Sequence, residues 1–305
     1  MPSGEISARE ARDLRGTLGL VVTLVLFGSS FPAFKLATEG FGVGTVVGIR
    51  FALATATLIA IGRGLPSLEP GMWRRLLLIG AVGLGGQAVA MTAGIDAGSS
   101  TLGALVLGLE PIGVAVAAVL VARERPTPAT LVGLGLGLAG VAVVSGLLTS
   151  GVSGAGRPVA FLLFTVVLFA AYTVSVRREA GRLDAGAVAV VTSIGASILT
   201  LPLIGVDAVR GDAIQSDLRT SAVAAAIYIG IGSGIAYLLF AHVLSRLPAS
   251  RFAVAMYAVP TIGVLGSWAV LGERPIERDV VGGAMILAAV WVAEHRRGGR
   301  DVAAG

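Results

Sequence analysis

The sequence contains no cysteine, one lysine and two histidines. Without cysteine the chain has no disulfide, no thiol nucleophile and no cysteine-based metal site. Two histidines, one of them His295 in a basic tail, exclude a histidine-rich metal cluster. The single lysine, Lys35, follows Phe34, whereas a P-loop requires Gly-Lys-Ser/Thr, so the chain has no ATPase of that kind. We therefore expect no metal, no cofactor and no catalytic residue built on these groups.

Charge is also scarce. Charged residues make up 13% of the chain, whereas a soluble domain has about 25%. Hydrophobic residues make up 55%, mean hydropathy is +0.89, and 44 of the 305 residues are glycine. A soluble globule of this length needs more polar surface. The composition predicts an all-α membrane protein whose main partner is the lipid bilayer. The net charge of +5 fits the positive-inside bias of such proteins, so we expect no nucleic-acid partner.

Ten stretches are long and apolar enough to cross a bilayer, which requires about 20 residues each. The first follows several arginines, but it is too long for a signal peptide and lacks a small-residue cleavage site, so we interpret it as a retained helix. The connecting loops are short, and the longest polar stretch, 207–220, is predicted to be a surface loop. The predicted spans are 17–37, 42–62, 74–95, 99–121, 128–149, 158–177, 185–206, 220–243, 250–271 and 278–294.

The distribution of Lys and Arg predicts the orientation of these spans. With the N-terminus inside, sixteen Lys/Arg residues fall on the inner side and six on the outer side, while Arg50 lies within the second span. Cytoplasmic loops carry the excess of basic residues. Both termini are therefore predicted to be cytoplasmic, which agrees with an even number of spans.

The chain also contains an internal repeat. A shift of 149 positions places Pro111 on Pro260, the Glu-Arg-Pro of 124–126 on that of 273–275, and Gly133 on Gly282. Between 102–144 and 251–293, twelve of 43 positions are identical. Each copy contains five predicted spans, and an odd number inserts the second copy upside down. Inverted repeats of this kind are typical of secondary carriers.

These features resemble the drug/metabolite transporter superfamily, EamA type. The resemblance rests on the five-plus-five spans, on Arg50-Phe51 early in span two, and on the proline-centred fourth helix that ends in Glu-Arg. The stretch 28–31, Gly-Ser-Ser-Phe, is also similar to the start of the family's first helix, with Phe27 where Trp is common. The resemblance implies ten helices around a central cavity and export of small metabolites such as amino acids.

On this basis the chain divides into five segments, and the resemblance places it in a bacterial inner membrane. The segments are a cytoplasmic N-terminal segment at 1–16, a first EamA-like five-helix repeat at 17–149, a linker at 150–157, a second repeat at 158–294 and a basic cytoplasmic tail at 295–305.

Glu110 and Arg50 are the main candidates for chemistry. Glu110 lies at the midpoint of the predicted span 99–121, and its repeat mate is Val259, so the shared architecture does not require the acid. Intramembrane acids tend to face cavities or partners, which suits proton or substrate binding. Arg50 lies about 12 Å deep in span two and is suited to a substrate carboxylate. The alternatives are a Glu110–Arg50 pair, an inter-helix tie from Arg50 to a helix C-terminus or an acid, and a Glu110 that faces the pore without an essential role.

Other intramembrane polar and aromatic groups complete the candidate set. We expect a cavity to use Gln87, Tyr172, Tyr237 and Tyr257 to orient its ligand, although aromatic residues at helical spacing are more often packing. Prolines that remove a helical hydrogen bond are predicted to interrupt helices one, four and nine. The hinge candidates are Ser29, Ser30, Pro32, Pro111 and Pro260. Glu124 and Glu273 are interpreted as turn architecture near helix N-termini, and Thr127-Pro128 as an N-cap with a proline at N1.

The favoured function is a secondary carrier that exports small metabolites by alternating access, with proton coupling left open. Drug efflux and a facilitator-type permease remain alternatives, because inverted repeats occur in both. An intramembrane enzyme is disfavoured, since no histidine besides His242 lies in a predicted span to serve a serine nucleophile and no Asp-rich diphosphate motif occurs.

Overall fold

A computed structural model describes residues 3–62, 64–122, 126–150, 152–180, 183–244, 256 and 258–295. All regular secondary structure in these ranges is helical. The helices are α1 (Ser3–Thr38), α2 (Val43–Gly62), α3 (Pro70–Leu78), a π-helical segment π1 (Ile79–Gly85), α4 (Gly86–Ala97), α5 (Ser100–Leu107), α6 (Glu110–Ala122), α7 (Pro128–Val144), α8 (Leu147–Ser150), α9 (Val152–Ala180), α10 (Ala185–Arg210), α11 (Thr220–Leu244), α12 (Ala258–Leu271) and α13 (Glu277–His295).

Seven helical stretches in the described ranges are long and apolar enough to cross a membrane. Two shorter apolar helices, α7 and α12, also coincide with predicted spans. The prediction of an all-helical, multi-span membrane protein is therefore confirmed, whereas the count of ten spans stays a prediction. The seven stretches are Leu18–Thr38, Val43–Gly62, Pro70–Ala97, Ser100–Val121, Gly156–Glu179, Ala185–Arg210 and Thr220–Leu239.

The first helix is longer and more regular than predicted. Its backbone is helical from Ser3, not from residue 17, and it runs through Pro32 without a break. The expected interruption at Pro32 is therefore wrong. The Ser29 and Ser30 hydroxyls donate to the carbonyls of Val25 and Phe27 within the same helix. Side-chain donors and packing against neighbouring helices let a membrane helix accommodate a proline.

The fourth predicted span is broken as expected, but at the two residues that precede Glu110 and not at the proline itself. It consists of α5 and α6, which are separated by Gly108 and Leu109. The amides of Gly108 and Leu109 bond three residues back, to Leu105 and Val106. Pro111 has no N–H to return to the carbonyl of residue 107, so the α-helical ladder ends there. Glu110 thus becomes the first residue of a new half-helix.

The predicted surface loop at 207–220 is partly wrong. Helix α10 continues to Arg210 and ends at Gly211, whose φ of 80° lies in the left-handed region that favours glycine. Asp207 is inside this helix and is only 8% exposed. The sequence pattern missed this because a carboxylate in an apolar run resembles a boundary when its buried partner is not visible.

Glycines allow the π-helical segment to pack closely against α9 and α10. A Cβ built on Gly80 would lie 2.1 Å from the carbonyl oxygen of Thr192 in α10, and one built on Gly83 would lie 2.8 Å from Cβ of Tyr172 in α9. On the other side, a Cβ on Gly195 would lie 2.2 Å from the carbonyl oxygen of Leu77. The backbones of π1, α9 and α10 therefore touch through glycines. π-Helical segments are rare, and many lie at functional sites.

Glycines also determine how the peripheral helices pack. Cβ atoms built on Gly133 and Gly140 of α7 would meet the backbone carbonyls of Ala289 and Gly282 in α13, at 2.7 and 2.9 Å. A Cβ built on Gly230 of α11 would lie 2.7 Å from the Cβ atom of Leu53 in α2. These stretches therefore close contacts within the chain. At the start of α7, the Thr127 side chain accepts from the Thr130 amide and Pro128 follows it, which confirms the predicted N-cap.

The turn after α1 marks one end of the bundle, which we call the distal end. It carries the turns at 39–42, 98–99, 211–219 and 272–276. Phe41 and Ile214 form an isolated antiparallel bridge there, and the Gln215 amide donates to the Gly40 carbonyl at 3.0 Å. The two halves of the chain therefore meet at the distal end.

Candidate functional site

Arg50 lies at the junction of the two halves and is fixed by side chains from α11. Its Nε donates to the Ser233 hydroxyl at 3.0 Å, and its Nη2 donates to the Tyr237 hydroxyl at 3.2 Å. The guanidinium carbon lies 5.0 Å from the Phe34 ring centroid and 5.1 Å from that of Phe51. Such distances are typical of cation–π contacts. Arg50 is thus tied to a neighbouring helix, but through two hydroxyls and not through the helix C-terminus or acid that the sequence predicted.

This arrangement uses two of the three guanidinium nitrogens. Arg50 is 6% exposed, and its Nη1 is buried without a hydrogen-bond partner among the described residues. A buried donor without a partner is costly, and the cost is greater for a charged group. The guanidinium fork matches a carboxylate geometrically. Ser233 and Tyr237 thus use two of the three guanidinium nitrogens, and Nη1 retains the capacity to donate a hydrogen bond.

A small cavity opens beside Arg50 between α1, α2 and α11. Its volume is about 20 Å³, enough for one water molecule. Ser30 and Tyr228 contribute polar groups to its wall, and Ser29 next to it shares a hydrogen bond with the Tyr228 hydroxyl. Two of the predicted hinge residues thus lie next to the Arg50 site. In this conformation the cavity is too small for a metabolite.

Tyr237 connects Arg50 to the other predicted residues. Its hydroxyl lies within electrostatic range of Arg50, Glu110 and Tyr172. Its ring meets Phe27 edge-on, with 6.0 Å between centroids. Arg50 and Tyr237 are therefore in direct contact, and Glu110 and Tyr172 interact electrostatically with Tyr237, although the four residues come from α2, α6, α9 and α11.

Glu110 does not pair with Arg50 here. In the part of the chain that the structure describes, the ion pairs within 4.0 Å are Arg75–Glu179 and Arg219–Asp217. The Glu110 carboxyl group forms no hydrogen bond or ion pair to a described residue. It lies in the first turn of α6, where the helix dipole favours a negative charge. The alternative of a structural Glu110–Arg50 pair is therefore wrong for this conformation.

Tyr172 and Gln87 lie on the π1 side of the site. The Tyr172 hydroxyl is 3.3 Å from the Thr192 hydroxyl, and its ring is 6.4 Å from that of Phe169. Gln87 is 6% exposed, and its Oε1 has no partner among the described residues. Both belong to the side of the bundle where α4 packs against Phe51. Tyr257 lies outside the described residues.

The remaining hinge candidates have different local structures. Pro111 is the second residue of α6, directly after the break. Pro260 is the third residue of α12 as described and is buried. The structure thus shows a broken helix at one of the three predicted prolines, a continuous helix at Pro32, and the early part of a helix at Pro260.

The sequence did not reveal the hydrogen-bond partners of three charged residues at the distal end. Glu273 and Asp207 cap the N-termini of α5 and α2. Lys35 donates to the carbonyls of Ile95, Asp96 and Gly98 at 3.2, 2.8 and 3.1 Å, and so caps the C-terminus of α4. A lysine suits the negative end of a helix. One available signal was that Lys35 is the single lysine of the chain.

Comparisons with known proteins agree with this architecture. A model described as the EamA-like transporter family matches residues 14–146 and 157–293. A probable terminal-alkyne amino-acid exporter of Streptantibioticus cattleyicolor is 26% identical over 288 residues, covering 92% of this chain and 94% of that protein. An uncharacterized transporter of Archaeoglobus fulgidus is 25% identical over 285 residues, covering 91% of this chain and 98% of its own length.

A solved crystal structure has a similar fold. Its TM-score is 0.64 at 20% sequence identity, and the match covers 93% of this chain and 98% of that chain.

Proposed function

Because this chain belongs to the EamA-like transporter family, and is a transporter and not an enzyme, we propose that it exports small amino-acid-like metabolites by alternating access. The predicted ten spans and two inverted five-helix repeats provide the frame. The family matches to two successive parts of the chain support the repeats. In the proposed topology the distal end is external, both termini are cytoplasmic, and the membrane is the bacterial inner membrane.

The buried Nη1 donor of Arg50 is the observation that supports the proposed substrate class. Nη1 of Arg50 is a buried donor without a partner, held in place by Ser233 and Tyr237. A substrate carboxylate would satisfy it with a charge-assisted hydrogen bond. Glu110 presents the opposite charge within range of the same tyrosine. An amino acid carries both complementary groups, a carboxylate for Arg50 and an ammonium for Glu110.

We assign the proposed hinge motion to the prolines and serines near the cavity. Glu110 and Pro111 begin a half-helix, and Ser29 and Ser30 lie next to the cavity beside Arg50. Broken helices in carriers lie where substrate binds or where a helix bends. The present cavity must therefore widen before a metabolite enters. We assign Gln87, Tyr172 and Tyr257 to the wall of the widened cavity, where polar groups orient a ligand.

The test is counterflow by purified protein in proteoliposomes. The probes are a neutral apolar amino acid, its methyl ester and the corresponding acid without the amine. We expect saturable counterflow of the amino acid, weak transport of the ester and of the deaminated acid, and much weaker amino-acid transport in Arg50→Lys and Glu110→Gln. Asp217→Asn is the matched control, because the Asp217 side chain is 90% exposed.

The outcomes separate the proposal from its alternatives. Flux without saturation or counterflow would indicate a facilitator-type permease. Transport of bulky cationic drugs with no amino-acid flux would indicate xenobiotic efflux. If flux is stimulated by acid in the wild type and equally in Glu110→Gln, Glu110 is not the group that couples flux to protons. Mass spectrometry of culture media, with and without expression of the protein, then identifies the exported compound.

A further inference from the structure

The Glu-Arg-Pro motif of the second repeat has a role that the substrate site does not explain. Glu273 reaches across to the first repeat and caps α5. Its Oε1 accepts from the Ser100 amide at 3.1 Å, and its Oε2 accepts from the amide and hydroxyl of Thr101 at 2.9 and 2.7 Å. Ser99 supplies the conventional N-cap by accepting from the Leu102 amide. The free amides of this helix start are therefore bound by a carboxylate from the other repeat.

A second acid of the same repeat repeats this arrangement at the same end. Asp207 of α10 accepts from the Thr45 amide at 2.7 Å and from the Thr45 hydroxyl at 3.1 Å. Its carboxylate lies so close to the chain that a Cβ on Gly42 would be 2.5 Å from its Oδ2. In both cases a carboxylate of the second repeat holds the N-terminus of a helix of the first repeat.

Further contacts surround these two caps, so the repeats are joined over a larger area of the distal end. Below Glu273, the hydroxyls of Ser100 and Ser267 are 2.6 Å apart. Lys35 of α1 donates to the carbonyls of Asp96 and Gly98, so α1 holds the turn that leads into α5. Side chains along α5 are buried throughout its length. The distal halves of the two repeats are thus in direct polar and apolar contact.

We propose that Glu273 and Asp207 form a distal clasp, a pair of inter-repeat caps that keeps the distal end closed and opens when substrate leaves. The clasp rests on the proposed alternating-access cycle but not on the identity of the substrate. Each carboxylate accepts hydrogen bonds from groups at a helix N-terminus, where its charge is favoured. Opening exchanges these bonds for water, so the caps set the balance between the closed and open distal end.

The cysteine-free chain provides a direct test. Ser267→Cys is a near-isosteric replacement at a fully buried position of α12 that faces Ser100. Its thiol becomes accessible from the distal side only when α5 and α12 separate. The rate of labelling by a membrane-impermeant maleimide, measured in intact cells without added substrate, therefore reports distal opening.

The variants compare two acids of the same turn region. In the Ser267→Cys background, Glu273→Gln removes the charge and one acceptor of the cap. Glu277→Gln changes an exposed acid four residues further along the chain. We expect labelling about tenfold faster in the first and unchanged in the second, because a hydrogen bond to a charged group contributes on the order of tenfold or more. Equal rates in the two variants would overturn the proposal.

Two additional measurements keep the test decisive. If Glu273→Gln is not recovered folded, Thr101→Val removes a single donor with little change in shape, and we expect labelling to rise about threefold. No rise in that variant would also count against the clasp. Transport is measured in parallel, so unchanged labelling with intact transport rejects the clasp alone. Faster labelling of Glu273→Gln, together with no amino-acid transport by the protein that keeps Glu273, rejects the substrate assignment alone.

Discussion

Arg50 and Ser233 join the two repeats through a 3.0 Å hydrogen bond from the guanidinium Nε to the serine hydroxyl. Arg50 belongs to the first match of the family model and Ser233 to the second. The candidate binding group is therefore assembled from both repeats. A relative movement of α2 and α11 would change the direction in which the guanidinium points, and this is how the proposed alternating access would alter substrate affinity.

Arg50→Lys tests the guanidinium geometry without removing the charge. Lysine donates from a single nitrogen and does not reproduce the separate positions of Nε, Nη1 and Nη2 in the guanidinium fork. We expect the KM for an amino-acid substrate to rise about tenfold to hundredfold, because one or two hydrogen bonds to a charged group are lost. Arg210→Lys at the exposed end of α10 is the control and should leave KM unchanged. An unchanged KM in Arg50→Lys would contradict the assignment.

Tyr237→Phe tests the positioning of Arg50. The change removes the hydroxyl that accepts from Nη2 at 3.2 Å and keeps the ring that packs on Phe27. We expect a smaller loss than in Arg50→Lys, about 1 to 2 kcal/mol in apparent affinity for a substrate with a carboxylate. Flux of the methyl ester should hardly change. If both substrates are affected equally, the tyrosine acts on the fold or the cavity and not on the arginine.

Asp207→Asn tests the buried cap of α2. The side chain is 8% exposed and accepts from the Thr45 amide and hydroxyl. Loss of its charge should destabilise the protein by about 1 to 2 kcal/mol, in the range of other N-cap substitutions. The readout is the thermal unfolding midpoint in detergent. Asp212→Asn, an exposed acid after the same helix, should leave the midpoint unchanged; equal shifts in the two variants would refute the cap.

Gly80→Ala tests the packing of the π-helical segment. The added Cβ would lie 2.1 Å from a backbone oxygen of α10, and backbone cannot move aside as a flexible side chain does. We expect a loss of more than about 3 kcal/mol, or failure to fold. Gly205→Ala is the matched control because nothing lies within 4 Å of its added Cβ. That change should be neutral or stabilise by up to about 1 kcal/mol. Similar stability of the two variants would contradict the close contact.

The predicted site was recovered only in part. Hydropathy and the repeat singled out Glu110, Arg50 and Tyr237, because a polar group in an apolar helix is conspicuous by itself. Ser233 was not selected as a binding group, since a serine between glycines also fits ordinary helix packing. Glu273 was interpreted as a local turn residue, yet it caps a helix that lies about 170 residues away in the chain. Pattern reasoning works along the chain, so it misses partners that the fold brings together.

The sequence by itself determined that the chain is an apolar helical bundle, because helices satisfy their own backbone groups in lipid and need only a long apolar run. It also determined the repeat and the break before Pro111, which follow from local chemistry. Only the tertiary structure decided that π1 leaves the α-helical ladder, that α1 continues through Pro32, and that Asp207 is buried. Each depends on a contact with a distant helix: a carbonyl too close for a Cβ, a neighbouring helix, or an amide that receives a carboxylate.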